Sequence, residues 1–336
     1  MLSLKFKNAY INDYFGIIGP NHNLDIKDID YKMNDYYFGM KTFEQAQIRM
    51  ESEVINNLLK KHKDIDLIIG GDLSNQLTST YYGINNVKKE ISTIGVYSAC
   101  ASFVEGLIIA SLFLNNKKNL KIINITSSHS LASERQFRFP VEYGTIRNVN
   151  STLTATGAVG CIISGFESNI KIIDATIGYP TERGINDPNY MGAVMAPSAE
   201  EVIVNHLKNH HYKIDDFDII LTGDLGKVGV EILKKCLERN HGINAENICD
   251  GGANLYKRNR EINNGASGPA VLPLYLLYNI LKEKKYKKIL VVGTGALHSK
   301  NLVNQKSVIP SISHALTIEV NLWAYYGLLL YRDYFA

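Results

Sequence analysis

Two strand-like passages, Asp66-Leu-Ile-Ile-Gly-Gly-Asp-Leu73 and Asp218-Ile-Ile-Leu-Thr-Gly-Asp-Leu225, end in the same Gly-Asp turn and stand nearly half of the 336-residue chain apart. A second pair follows in the same order. Lys121-Ile-Ile-Asn-Ile-Thr-Ser-Ser-His-Ser130 and Lys288-Ile-Leu-Val-Val-Gly-Thr-Gly-Ala-Leu-His-Ser299 are both apolar runs that end in His-Ser. Between the members of each pair a turn of small residues, Ser98-Ala-Cys-Ala-Ser102 or Gly265-Ala-Ser-Gly-Pro269, opens an apolar helical pattern. Three matched features in matched order imply an internal duplication, with a period far too long for a solenoid. Continuous Ile/Leu/Val runs mark strands covered on both faces, so the architecture is layered α/β. No low-complexity linker separates the halves, which we place at residues 1–172 and 173–336 of one compact unit.

Local signals agree with this alternation. Thr42 with Gln45 forms a capping pattern ahead of Ala46, Met50, Val54 and Leu58, whose spacing keeps one helix face apolar. Ser198 with Glu201 does the same ahead of Val202–Leu207 and predicts a helix that begins there. A hydrophobic content of 45% supports a full core. Against 33 acidic residues, 36 basic ones leave a net charge of +3, too even to imply nucleic acid as a partner. The four cysteines, Cys100, Cys161, Cys236 and Cys249, are far apart and have no metal-ligand spacing, which reads as reduced thiols. Met1–Tyr10 lacks an apolar signal region, and no run of about 18 uncharged apolar residues occurs, so neither a signal peptide nor a membrane-spanning helix is expected.

Cys100 is the cysteine that invites a chemical role. It lies where an extended run becomes helical, and a helix N-terminus favours the thiolate through its unpaired N–H groups and dipole. Ala99, Ala101 and Ser102 leave room beside it. Free cysteine is also a common small buried hydrophobe, and Cys161, Cys236 and Cys249 read that way.

Thr126-Ser-Ser-His129, Ser133-Glu-Arg-Gln-Phe-Arg-Phe-Pro-Val-Glu-Tyr-Gly144, Met191-Gly-Ala-Val-Met-Ala-Pro197, Leu221-Thr-Gly-Asp-Leu225 with Val228-Gly229, and Gly293-Thr-Gly-Ala296 carry a resemblance. Spread from about Asp66 to His314, they resemble the stage V sporulation protein AD family, within the thiolase and ketoacyl-synthase superfamily. The segment from Ser133 to Gly144 is the most specific, being long and mixed in chemistry. The resemblance implies a thiolase-like α-β-α-β-α arrangement and a homodimer. It also implies a binding protein for dipicolinic acid, needed to move that acid with calcium into the forespore. Such a protein acts on the cytoplasmic side of the spore inner membrane, peripherally, with other proteins of the same operon.

The same resemblance bears on catalysis. A working thiolase activates its nucleophile with a histidine from a Gly-His-Pro loop and uses a second cysteine in a late Cys-x-Gly turn. The matching loop here, Asn263-Asn-Gly-Ala-Ser-Gly-Pro269, has no histidine, and the late turn, Val292-Gly-Thr-Gly-Ala296, has no cysteine. Ketoacyl synthases take a histidine where this chain has Thr222-Gly-Asp-Leu225. A nucleophile without a base is a poor acyl-transfer catalyst. The expectation is therefore a non-catalytic protein without a cofactor, calcium entering with its ligand. The alternatives are an acyltransferase using Cys100 with His129 or His314 as base, and a scaffold acting through its tail, Leu322-Trp-Ala-Tyr-Tyr-Gly-Leu-Leu-Leu-Tyr331.

The expected pocket gathers Cys100, His129, Arg135 and Arg138, because guanidinium forks bind carboxylates in pairs. Phe137 and Phe139 alternate with the arginines, as on a strand-like loop, and would wall an aromatic ligand. Asp72, Asn75 and Asp224 end strands where α/β sites gather, and His314 lies on a late loop; His298 is the weaker candidate. Competing readings are an arginine network with Glu134 and Glu142, a satisfied turn for His129, and Gly-Asp turns held by their own aspartate.

Overall fold

The structure, a computed structural model, describes residues 1–20, 26, 28–137, 148–257 and 262–322. Arg138, Phe139, Glu142 and the tail from residue 323 onward lie outside the described residues. The first half runs β1 (Leu2–Ile18), β2 (Tyr31–Lys32), α1 (Phe43–Lys61), β3 (Leu67–Gly71), α2 (Thr78–Asn86), β4 (Ser92–Gly95), α3 (Ser102–Asn116), β5 (Lys121–Ser128), α4 (Ser130–Phe137), β6 (Leu153–Thr154) and β7 (Gly157–Ser164). The second runs β8 (Ile170–Ile177), α5 (Met191–His210), β9 (Ile219–Thr222), α6 (Gly226–His241), β10 (Ile248–Asp250), α7 (Gly251–Asn254), β11 (Ala266–Ser267), α8 (Val271–Tyr275), β12 (Lys288–Ala296), α9 (Lys300–Asn304) and β13 (Ser311–Val320).

Strand order makes the duplication visible. Among the described residues the main sheet reads β10-β9-β12-β13-β8-β1-β7-β5-β3-β4. Reading outward from the central β1–β8 pair, each strand meets its repeat: β7 and β13, β5 and β12, β3 and β9, β4 and β10. Pairing sense repeats as well, since β3–β4, β3–β5, β9–β10 and β9–β12 are parallel while β5–β7 and β12–β13 are antiparallel. The expected boundary at residue 172 falls inside β8; the change from one repeat to the next is the turn at 165–169.

Three apolar clusters explain why the strands are continuous hydrophobic runs. Ile68 and Ile123 pack outward against Met50, Val54 and Leu58 of α1, while their neighbours Ile69 and Ile122 face inward. Ile220 and Leu290 pack outward against α5 and α6, while Leu221 and Val291 face inward. Successive side chains on a strand point to opposite faces, so a strand covered twice is apolar on both or has its polar groups hydrogen-bonded, as Asn124 of β5 donates to Phe103 O at 2.9 Å. The inward faces meet Phe103, Val104, Leu107 and Leu114 of α3 and Leu272 and Leu274 of α8. The layers are thus α1/α2, the first-half strands of the sheet, α3/α8, its second-half strands, and α5/α6. Burying one such Leu or Phe completely contributes about 1.5–3 kcal/mol.

Its place in the middle layer explains the composition of α3. The window Ala99–Asn116 is long and apolar enough to cross a membrane, yet 61% of it is buried inside the protein. A helix apolar all round is one with neighbours all round.

One predicted helix start holds and the other does not. Thr42 Oγ1 accepts from the Gln45 N–H at 3.2 Å, as its position requires. Ser198 caps nothing: α5 begins seven residues earlier, at Met191, and runs through Pro197. Proline removes the N–H that would bond the preceding turn. The bond lost is the one to Ala193 O; the Ser198 hydroxyl donates instead to Met195 O at 3.0 Å and meets Ser313 Oγ at 2.8 Å.

Candidate functional site

The turn that presents Cys100 is tight and strained. Ala99 holds a left-handed backbone, with φ 49°, which costs a residue with a Cβ about 1–2 kcal/mol. Ser102 Oγ clamps it by accepting from the Ser98 N–H at 3.0 Å and donating to Ala99 O at 2.7 Å. From the other half, β12 presses onto the same turn. A Cβ on Gly295 would stand 2.2 Å from Ser98 O, and one on Gly293 would stand 2.8 Å from Val104. The Gly293-Thr-Gly295 motif is therefore the condition for the halves to meet at Cys100.

Cys100 opens into a small cavity of about 60 Å³ at this junction. Leu73, Met191, Met195 and Ala296 supply apolar wall, and Tyr97, Phe137 and His298 supply flat rings. Polar groups come from Ser133, Thr154, Ser267 and Asp224. Burial, then the nearby Cys100 and Asp72, push the Tyr97 phenol up to about 12, so it stays a hydrogen-bond donor. The Phe137 and His298 rings meet edge to face, with centroids 5.3 Å apart. A wider mouth of about 580 Å³ shares Leu73, Tyr97, Phe137 and His298 and adds Asn75, Gln136 and Lys300.

The expected residues divide sharply. Asp224 lines the cavity, and its carboxylate accepts from the Gly268 N–H at 2.9 Å and the Thr294 hydroxyl at 2.9 Å, tying the 265–269 loop to β12. Its repeat, Asp72, is buried and structural, accepting from Ser74 and from the Thr80 N–H at 2.8 Å and hydroxyl at 2.6 Å. The reading of Asp72 as a ligand contact gives way to that of a turn held by its own aspartate. Asn75 stands in the mouth rather than at the cavity floor.

Neither histidine anticipated as a base lines the cavity. His129 Nε2 donates to Tyr36 O at 2.8 Å, and its ring stacks on Phe43 with centroids 5.3 Å apart. Burial lowers it to about 4 and keeps it neutral. It completes a row of buried cross-links along the end of β5. Thr126 donates to Pro269 O at 2.8 Å, Ser127 accepts from Gln47 at 2.8 Å, and Ser128 donates to Ala155 O at 2.8 Å. His314, on β13, braces the Cys100 turn from behind: its Nδ1 accepts from the Gly178 N–H at 3.2 Å and its Nε2 lies 3.3 Å from Ser98 Oγ. Burial lowers it, too, to about 4.

Arg135 is corrected by its secondary structure. Residues 130–137 form the helix α4, not a strand-like loop. Two residues along a helix are turned by about 200°, so Arg135 and Phe137 take opposite faces. Phe137 faces the cavity, while Arg135 meets Glu44 at 3.5 Å and lies over the Phe43 ring at 5.6 Å. Arg138 lies outside the described residues. Among the described residues, the cation at the mouth is Lys300. Sequence reasoning missed it and underweighted His298. The duplicated His-Ser ending, His129 in one half and His298 in the other, is the signal that points to the latter.

Comparisons with known proteins fit this geometry. Residues 3–319 match the family model described as Stage V sporulation protein AD. The chain is 34% identical over 297 residues to the Stage V sporulation protein AD of Bacillus subtilis, covering 86% of this chain and 87% of that one. Among solved structures it is similar to 3-oxoacyl-(acyl-carrier-protein) synthase III from Aquifex aeolicus, with TM-score 0.56, 14% identity, and 93% and 99% of the two chains covered. It is also similar to cerulenin-bound OleA from Xanthomonas campestris, with TM-score 0.60, 13% identity, and coverage of 94% and 100%. At such identity the likeness is one of fold, and that fold is thiolase-like.

Proposed function

The chain belongs to the stage V sporulation protein AD family, and on that premise we propose that it is a non-catalytic binding protein for dipicolinic acid, required for uptake of that acid into the developing spore. The observation that carries this reading is the slot beside Cys100. Tyr97, Phe137 and His298 offer ring faces and edges, and Ser133, Thr154 and Ser267 offer hydroxyls. The cavity of about 60 Å³ shares four walls with the mouth of about 580 Å³, and the mouth lies within the range of about 300–1,000 Å³ usual for small-molecule sites. An aromatic diacid would place its ring among the three rings and its carboxylates toward the hydroxyls, the first turn of α3, and Lys300 at the mouth. Asp224 has both carboxylate oxygens engaged by protein donors, so calcium would arrive chelated by the acid. Cys100 is then a small, polarisable part of the wall. The proposal includes a homodimer acting at the cytoplasmic face of the spore inner membrane with proteins of the same operon.

Calorimetric titration of the pure protein with dipicolinate, with and without calcium, tests the reading. Saturable binding that weakens tenfold or more in Phe137→Ala is the expected result, a loss of about 1.4 kcal/mol. Absence of saturable binding under both conditions overturns it. One observation favours a second reading: His298 shares the cavity with Cys100, and a histidine beside a thiol can serve as its base. Acyl transfer would leave an acyl adduct on incubation with acyl-thioesters. Intact-mass measurement should show none, and an adduct that disappears in Cys100→Ala would establish the enzyme instead.

A further inference from the structure

Away from the cavity, where the C-terminal end of α5 meets β8, three potential ligands converge inside the protein. His206 and His210 lie one turn apart on α5, and Asp174 faces them from β8. One ligand atom from each can be chosen so that all lie within 4.8 Å of one another. Asp174 Oδ1 stands 3.4 Å from His206 Nε2, and Asp174 Oδ2 stands 3.7 Å from His210 Nδ1; none of these side chains is more than 4% exposed. In a tetrahedral zinc shell with bonds of about 2.0–2.1 Å, ligand atoms are separated by about 3.3–3.4 Å. Asp174 stands near that spacing from each histidine, through a different oxygen to each, and the set as a whole lies within 4.8 Å.

Their hydrogen bonds have the pattern of a metal site. His210 Nδ1 is buried and has no hydrogen-bond partner, although buried polar atoms are nearly always paired; Asp174 Oδ1 faces His206 Nε2 at 3.4 Å, and Thr317 also reaches the Asp174 carboxylate. Each remaining group is oriented from outside. His210 Nε2 donates to Ala175 O at 3.2 Å, which leaves the Nδ1 lone pair aimed into the cluster. His206 Nδ1 meets Thr176 Oγ1 at 2.9 Å, and Tyr212 Oη donates to Asp174 Oδ2 at 2.7 Å. Ligating histidines and carboxylates are held by such outer partners, which select the tautomer and direct the lone pair. His206 Nε2 lies 2.9 Å from the Thr317 hydroxyl, a contact an ion would have to displace. His211 at the end of α5 is exposed and Tyr212 partly so, which gives an ion a short path from solvent. Lys288, whose Nζ sits 4.0 Å from the Tyr212 ring centroid, is the nearby opposing charge.

We propose that Asp174, His206 and His210 form a binding site for one divalent transition metal ion, zinc foremost, with two nitrogen ligands, one carboxylate and a fourth position for water. Two imidazoles and a single carboxylate favour zinc over magnesium or calcium, which require mostly oxygen ligands. The ion would join α5 to β8 at the seam of the two halves, separately from the Cys100 cavity.

The test uses the full chain, stripped with chelator, loaded with zinc chloride and dialysed. One zinc per chain is expected, with affinity lowered tenfold or more in His210→Ala and unchanged in Cys100→Ala. Should His210→Ala fail to fold by circular dichroism, Tyr212→Phe removes only an outer partner and should still weaken zinc about tenfold. Cobalt chloride added to the unaltered chain should give the strong visible absorption of a four-coordinate nitrogen and oxygen site. No retained zinc, zinc indifferent to these substitutions, or a cobalt–thiolate band would each overturn the proposal.

Discussion

His129 and His298 close the same His-Ser turn in the two halves, yet their neighbours give them different work. His129 is followed immediately by α4, which turns its ring beneath Tyr36 and Phe43. His298 precedes α9 by a residue more and faces the cavity. Their substitutions should separate cleanly. His298→Ala should weaken dipicolinate tenfold or more in a calorimetric titration while changing stability little. His129→Ala should leave affinity within about threefold but cost about 2 kcal/mol in denaturant unfolding, because it opens a cavity and strips Tyr36 O of its donor. At this scale sequence discloses which chemistry is available but not where it points. Arg135 and Phe137 look like neighbours in one lining until α4 sends them to opposite sides. The pairing of His206 with His210 is legible as an i, i+4 spacing, but Asp174, thirty-odd residues earlier, has no spacing that announces it.

At the scale of elements, the repeats were readable because burial on two faces favours a continuous apolar run, which β3, β9 and β12 carry and which buried Asn124 interrupts in β5. The start of α5 was not readable. Pro197 and Ser198 together mimic a helix beginning, and it takes packing of Met195 and Ala196 beneath them to carry the helix through. The glycines of β12 show the opposite case, a motif whose reason appears only when the Cys100 turn and α3 of the other half are in place. Gly295→Ala should lower stability by about 1–3 kcal/mol in thermal or denaturant unfolding, since a Cβ there overlaps Ser98 O. It should also displace the Cys100 turn and weaken ligand binding. A Gly295→Ala chain with unaltered stability and binding would mean that the two halves do not meet as described.

For the whole molecule, buried titratable groups couple folding to acidity. His129 and His314 are both lowered to about 4 by burial, against about 6.5 in an unfolded chain. Between those values the unfolded chain binds protons that the native one refuses. Their contribution is therefore complete above pH of about 6.5 and is lost as pH falls toward 4, by roughly 3 kcal/mol for each histidine. Asp250 has the opposite sign: burial pushes it up to about 7, so its cost to the native state grows as pH rises from about 4 to 7 and is complete above that. The slope of stability with pH between 4 and 6.5, read by denaturant unfolding, is the sum of these opposing contributions, buried Glu51 being raised like Asp250. His314→Gln should reduce that slope by about one proton. An unchanged slope would mean that His314 is not held neutral by burial.

The central β1–β8 pair has a further consequence, in the order in which the chain is made. β1 is the first strand synthesised, yet its partners β7 and β8 are residues 157–164 and 170–177. At about 5–20 residues per second, a ribosome delivers them on the order of ten seconds later. For that interval a 17-residue strand destined for the middle of the sheet has both edges open. Outer strands such as β3 and β5 can pair meanwhile, so the molecule is completed at its centre and not at its end. Its most aggregation-prone moment falls early in synthesis, before the seam exists to close.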